Sequence, residues 1–84
     1  MLNGREDAVM KIEDVAVEGL EHDKGRVVLL KLKDGKVIRG KLEDVDKHMN
    51  ITLRGAEEFS IDNKTQPFGV LLVRGDSVST ISQS

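Results

Sequence analysis

The chain has 84 residues, a formal net charge of −2, and no cysteine, tryptophan or tyrosine. That length fits one small domain, whose single core supplies only a few kcal/mol of net stability, so assembly with further copies is an obvious supplement. The lack of cysteine excludes a disulfide scaffold, a thiolate metal site and a cysteine nucleophile. The mild acidity argues against a broad electrostatic nucleic-acid binder, but it leaves room for basic groups gathered at one site. Phe59 and Phe68 are the aromatic residues, which argues against a sheet that stacks bases on aromatic rings; any stacking must use histidine or arginine planes. No apolar run is long enough to span a membrane. The N-terminus carries no basic-then-apolar signal, and a cytoplasmic location is expected.

In chain order, Met1 to Gly4 reads as a loose end. From Arg5 to about Leu20 the apolar residues Ala8, Val9, Ile12, Val15, Ala16 and Leu20 fit one face of a helix over about 5–21. Glu6, Asp7, Glu13, Asp14 and Glu18 fall largely on the other face, which reads as solvated, and Asp23-Lys24-Gly25 reads as a stop and a turn. Arg26 to Lys33 is strand-like, with Val28, Leu30 and Leu32 on one face and Val27 and Leu29 on a second, partly covered one. Asp34-Gly35 is a strong hairpin signal because both residues tolerate positive φ. Lys36 to Asp46 alternates through Ile38, Gly40 and Leu42, and the glycine marks a sharp bend or a close backbone approach. After a loop from Asp46 to Asn50, Met49, Ile51 and Leu53 keep period two as a strand, with Met49 directed to the core. Glu57 to Gln66 reads as a polar loop with its tip at Asp62-Asn63-Lys64, and Pro67 opens the next strand. Phe68 to Val73 is nearly continuously apolar, so it is buried on both faces or pairs with another chain. Arg74-Gly75-Asp76 is a tight turn, and Val78 to Ile81 is a short final strand. The count is one helix followed by five strands, with no internal repeat and no linker: a mainly β fold forming one domain over 1–84, its barrel over about 26–82.

These residues resemble a known family. Leu32-Lys33-Asp34-Gly35, then Gly40-x-Leu42, then Asp46-Lys47-His48-Met49-Asn50, then Leu53 and Ala56-Glu57-Glu58 resemble the first Sm motif. Phe68-Gly69 to Val73-Arg74-Gly75-Asp76-Ser77-Val78 resembles the second. The two motifs occur in the right order around a variable loop and cover roughly Val28 to Ile81. In appearance the chain is similar to archaeal Sm-like proteins and to eukaryotic Sm and LSm proteins, whereas the bacterial Hfq branch carries a different, Tyr-Lys-His-like second motif. It departs from the family at Val45 and Ile38, where aromatics are frequent, and at Ser77, where asparagine is common. The resemblance implies a short N-terminal helix on a strongly bent five-stranded antiparallel sheet, an open SH3-like barrel. It also implies a homo-oligomeric ring, most often a heptamer, in which the fourth strand of one subunit pairs with the fifth strand of the next. Physics favours such a ring, because an open barrel leaves two edges of unpaired backbone and a closed head-to-tail ring satisfies both.

The resemblance further implies that the loops after the second and fourth strands face a central pore and bind single-stranded, uridine-rich RNA. His48 and Asn50 match the base-contacting residues of the first loop and Arg74 that of the second, with Gly75 beside it. Asp46 and Asp76 are the matching acidic residues. His48 and Arg74 are flat groups able to sandwich a base, and Asn50 offers an acceptor and a donor that match the edge of uracil. A flipped Asn50 would match cytosine, so discrimination needs the amide orientation fixed; an ionised Asp46, which can only accept, takes one Asn50 N–H and fixes it. No catalytic residue, metal, cofactor, membrane or small-molecule substrate is expected. The alternative reading is a structural ring scaffold for protein–protein assembly.

Overall fold

The computed structural model describes residues 9–84. The elements are β1 (Val9–Lys11), a 3-10 turn (Ile12–Asp14), α1 (Val17–Glu21), β2 (Val27–Leu32), β3 (Val37–Val45), β4 (Ile51–Phe59), β5 (Thr65–Val73), a second 3-10 turn (Gly75–Ser77) and β6 (Val78–Gln83). The strands form one sheet in the order β1-β6-β2-β3-β4-β5, with every neighbouring pair antiparallel. The fold is therefore mainly β, as expected, with a short helix near the N-terminus and, among the described residues, six strands in place of five.

The expected helix over about 5–21 is corrected. Its first residues, 5–8, lie outside the described residues. Of the rest, Val9–Lys11 forms a strand against β6, Ile12–Asp14 a 3-10 turn, and the α-helix is confined to Val17–Glu21. The apolar spacing that suggested one long helix serves three short pieces instead. Met10 and Ile12 pack partly against the core, while Val15 and Leu20 are buried in it. A free strand edge offers β1 a hydrogen-bonding partner, and that tertiary contact overrides a weak local preference. Gly19 inside the helix and Gly25 at φ 89° after it keep α1 short.

The core lies under the bent sheet, where Leu20, Val28, Leu30, Ile38, Leu42, Ile51, Leu53, Val78 and Ile81 are almost wholly removed from solvent. Gly40 sits where β3 bends over β4. A Cβ built there would lie 3.1 Å from the Ala56 Cα and 3.1 Å from the Leu53 Cβ. The pairing of β3 with β4 shifts register at this point, between Arg39 and Lys41, and again between Leu42 and Asp44, which is how bulges curve a sheet.

The three hairpins share one loop construction. In each, the first residue donates its N–H to the carbonyl of the residue four further on, and the residue between at the third step donates back. Leu32 pairs with Lys36 around Gly35, Asp46 with Asn50 around Met49, and Ser60 with Lys64 around Asn63, all at 2.8 to 3.0 Å. The residue at the third step is left-handed every time: Gly35 at φ 94°, Met49 at 63° and Asn63 at 66°. A three-residue loop ending in a left-handed position is a standard way to join antiparallel strands. The Asp34-Gly35 turn is thus three residues long, and positive φ falls on Gly35 alone of its pair.

The expected polar loop from Glu57 to Gln66 shrinks to 60–64, because β4 runs to Phe59 and β5 starts at Thr65. Pro67 lies inside β5, which tolerates it as an edge strand. Phe68 to Val73 is not buried on both faces within the chain: Val70 and Leu72 are 53% and 64% exposed. Among the described residues no helix is long and apolar enough to cross a membrane.

Candidate nucleic-acid interface

The loop between β3 and β4 is built around the Asp46 carboxylate. Its Oδ1 accepts the backbone N–H of His48 at 2.8 Å and that of Asn50 at 2.9 Å. Its Oδ2 accepts the side-chain amide of Asn50, Nδ2, at 3.0 Å. Backbone bonds close the same loop, since Asp46 N–H donates to the Asn50 carbonyl and Met49 N–H to the Asp46 carbonyl, both at 3.0 Å. The Asn50 backbone N–H holds the Asp46 carboxyl below its ordinary value of 3.8, followed by the Asn50 amide, the His48 N–H and the nearby imidazole; partial desolvation opposes them. Hydrogen bonds to the charged form favour it.

The second loop reaches the first through Gly75, whose backbone N–H donates to Asn50 Oδ1 at 3.0 Å. This contact fixes the amide by elimination. Ionised Asp46 can only accept and the Gly75 N–H can only donate, so a flipped Asn50 would face both with the wrong atom. One Nδ2 hydrogen and one Oδ1 lone pair remain for a ligand that offers a donor beside an acceptor.

Gly75 is buried, and a Cβ there would fall 2.6 Å from the His48 carbonyl oxygen and 2.7 Å from that of Met49. Glycine is therefore what lets the two loops close on one another. Met49 holds a left-handed backbone that is costly for a bulky residue, while its side chain packs against the core as expected. Its backbone is part of the loop and not of the strand, which starts at Ile51. No residue type at this position signalled positive φ, so the sequence did not reveal it.

The expected residues thus fall into two groups. Asp46, Asn50 and Gly75 form one hydrogen-bonded unit. His48 and Arg74 are exposed beside it, as is Asp76, which accepts from Arg74 Nη2 at 3.2 Å. Both members of that ion pair are open to solvent, so it restrains the guanidinium only weakly. A recess of about 300 Å³ lined by Leu32, Lys33, Asp34, Asp76 and Ser77 adjoins the second loop. Another of about 330 Å³, lined by Lys24, Gly25, Lys41, Leu42, Glu43 and Arg54, shares no residue with the two loops.

Comparison with known proteins agrees with this architecture. The LSM domain family matches residues 18–83. A putative snRNP Sm-like protein of Aeropyrum pernix is 47% identical over 55 residues, covering 66% of this chain and 70% of its own. Among solved structures, the SmAP1 heptamer of P. aerophilum superposes with a TM-score of 0.72 at 40% identity, over 80% of this chain and 89% of that one. The Sm protein of Pyrococcus abyssii, solved in complex with a uridine heptamer, gives a TM-score of 0.75 at 30% identity, over 84% of this chain and 100% of that one. The chain belongs to the LSM domain family, and its relatives include archaeal Sm-like proteins.

Proposed function

We infer that the chain, as a single Sm-like domain, assembles into a homo-oligomeric ring and binds single-stranded, uridine-rich RNA through Asp46 to Asn50 and Arg74 to Asp76. In that role it serves as an RNA chaperone or ribonucleoprotein core in RNA processing. The observation that carries this reading is the Asn50 amide held between Asp46 and Gly75. Its fixed Oδ1 accepts the N3–H of uracil while Nδ2 donates to a uracil carbonyl; placed the same way, cytosine presents a bare N3 to Oδ1. His48 and Arg74 supply flat faces for the base, each stack worth about 1–3 kcal/mol. The heptameric and uridine-bound structures of similar chains support both halves of the reading.

Repetition of a modest site around a ring lets one strand occupy several sites at high effective concentration, which reconciles RNA affinity with an acidic chain. Asp46 gives its oxygens to Asn50 and to the His48 backbone, so it is not arranged as an acid–base partner for the imidazole, and the reading contains no catalytic step. It keeps the cytoplasmic location expected from the sequence.

Filter binding of oligo(U), oligo(C) and oligo(A) to the chain and to Asn50→Ala tests this. A preference for oligo(U) of about ten- to a hundredfold is expected from one well-placed base contact, and Asn50→Ala should abolish it. Equal binding of all three, or no loss in the variant, would return the chain to the scaffold reading.

A further inference from the structure

We propose that β1 is a removable cover on the β6 edge to which β5 of a second copy docks, so that ring closure requires every subunit to release Val9–Lys11. This rests on the ring reading above and concerns how the ring is reached. In the single chain β6 is an interior strand, with β2 on one side and β1 on the other. Among the described residues the two outer edges of the sheet belong to β1 and β5. The contact that the resemblance implies, β5 onto β6 of the neighbour, is therefore blocked while β1 is in place.

The two possible docking edges differ in what they offer. β1, described over Val9–Lys11, ends in exposed Lys11; a charged edge strand is a poor template for another chain. β6 is six residues long and β5 nine, so the β6 edge offers a long ladder to an incoming strand. β1 covers only part of β6, through Val9↔Ser82, Met10↔Ile81 and Lys11↔Thr80. Its described residues are also lightly held: Val9 is 60% exposed and Met10 only half-buried. The firm anchors, buried Val15 and Leu20, lie beyond the Ile12–Asp14 turn. β1 can leave and keep those anchors in place. On the incoming strand, exposed Val70 and Leu72 gain the cover they lack in the single chain.

β1 holds its place by being part of the same chain, at high effective concentration. It shields the edge of a dilute subunit and yields to a longer strand when other subunits are abundant. The chain contains no cysteine, so a designed pair is unambiguous. In Lys11→Cys/Thr80→Cys the two residues face each other across β1 and β6, at a separation that cross-strand disulfides can bridge.

Native mass spectrometry of this variant should give a monomer when oxidised and a ring when reduced in the same buffer. Rings of equal yield in both states would overturn the cover and leave the ring reading standing. An unaltered chain that stays monomeric at every concentration would overturn the ring reading and the cover with it. Hydrogen exchange on the unaltered chain gives a second readout. Amides of Val9–Lys11 should lose protection as the ring forms while those of β6 keep it; β1 amides equally protected in the ring would refute the release. Met10→Asp, which weakens the packing of β1, should lower the concentration of half-assembly by about tenfold, and a rise would count against the proposal.

Discussion

Asp46 accepts three hydrogen bonds from two residues: the two from backbone N–H groups order the loop, and the one from Nδ2 keeps the Asn50 amide pointing one way. In Asp46→Asn the new amide can still accept from the backbone, but it sets a donor against Asn50 Nδ2 whenever its own carbonyl turns to the backbone. Asn50 is then free to flip, and the uridine-over-cytidine preference should fall about tenfold or more while overall RNA binding persists, as paired filter-binding titrations would reveal. The pH dependence follows from the same bonds. The folded carboxyl titrates below its ordinary 3.8. Its ordering effect is therefore complete above that value and is lost as pH falls through the lower folded value. Uridine preference should stay flat from neutral pH to about 4, and a decline centred between pH 6 and 5 would show that another group controls it. Gly75 acts by what it lacks. Gly75→Ala puts a methyl against two backbone carbonyls, which cannot rotate away, so urea unfolding should register a loss of about 1–3 kcal/mol.

At the scale of elements, the bend at Gly40 makes the barrel possible. Gly40→Ala should cost about 1–3 kcal/mol, and adding Ala56→Gly should recover part of it, because the Ala56 Cβ is 3.2 Å from the added methyl; additive losses in a double-mutant cycle would count against that close approach. This bend was legible in the sequence, as were β2, β3 and the start of β4, because one face of each is buried and the other wet, which writes period two into the residues. The hairpin arms from Glu57 to Phe59 and Thr65 to Pro67 were not. They project beyond the core with both faces at least partly exposed, so no alternation marks them as strand. β1 was hidden for a different reason. Three residues whose pairing depends on an edge some seventy positions away leave no local pattern, and their apolar members fell in step with those of α1. The resemblance supplied the six candidate site residues, yet neither the Gly75 to Asn50 bond nor the left-handed Met49 was written in residue type. Both depend on two loops meeting in space.

For the whole molecule, the decisive fact is the sticky edge of the sheet at β5. β5 carries Val70 and Leu72 outward along a nine-residue strand, which would be an aggregation hazard on an isolated chain. Leu72→Lys should leave the fold intact, since the residue is 64% exposed in the single chain, and should yield monomers by native mass spectrometry. Oligo(U) affinity should then fall by about a hundredfold with the loss of avidity; retention of full affinity by a monomer would refute the repeated-site account. The Gly75 to Asn50 bond has a consequence at this scale as well. It straps together two loops 25 residues apart in sequence, so on the proposed reading a base held by Asn50 would also tighten the closure of the barrel's end. On the proposed reading, cargo and heat resistance are then linked by mass action: a ring loaded with RNA should melt at a higher temperature than an empty one, which thermal unfolding with and without oligo(U) would check.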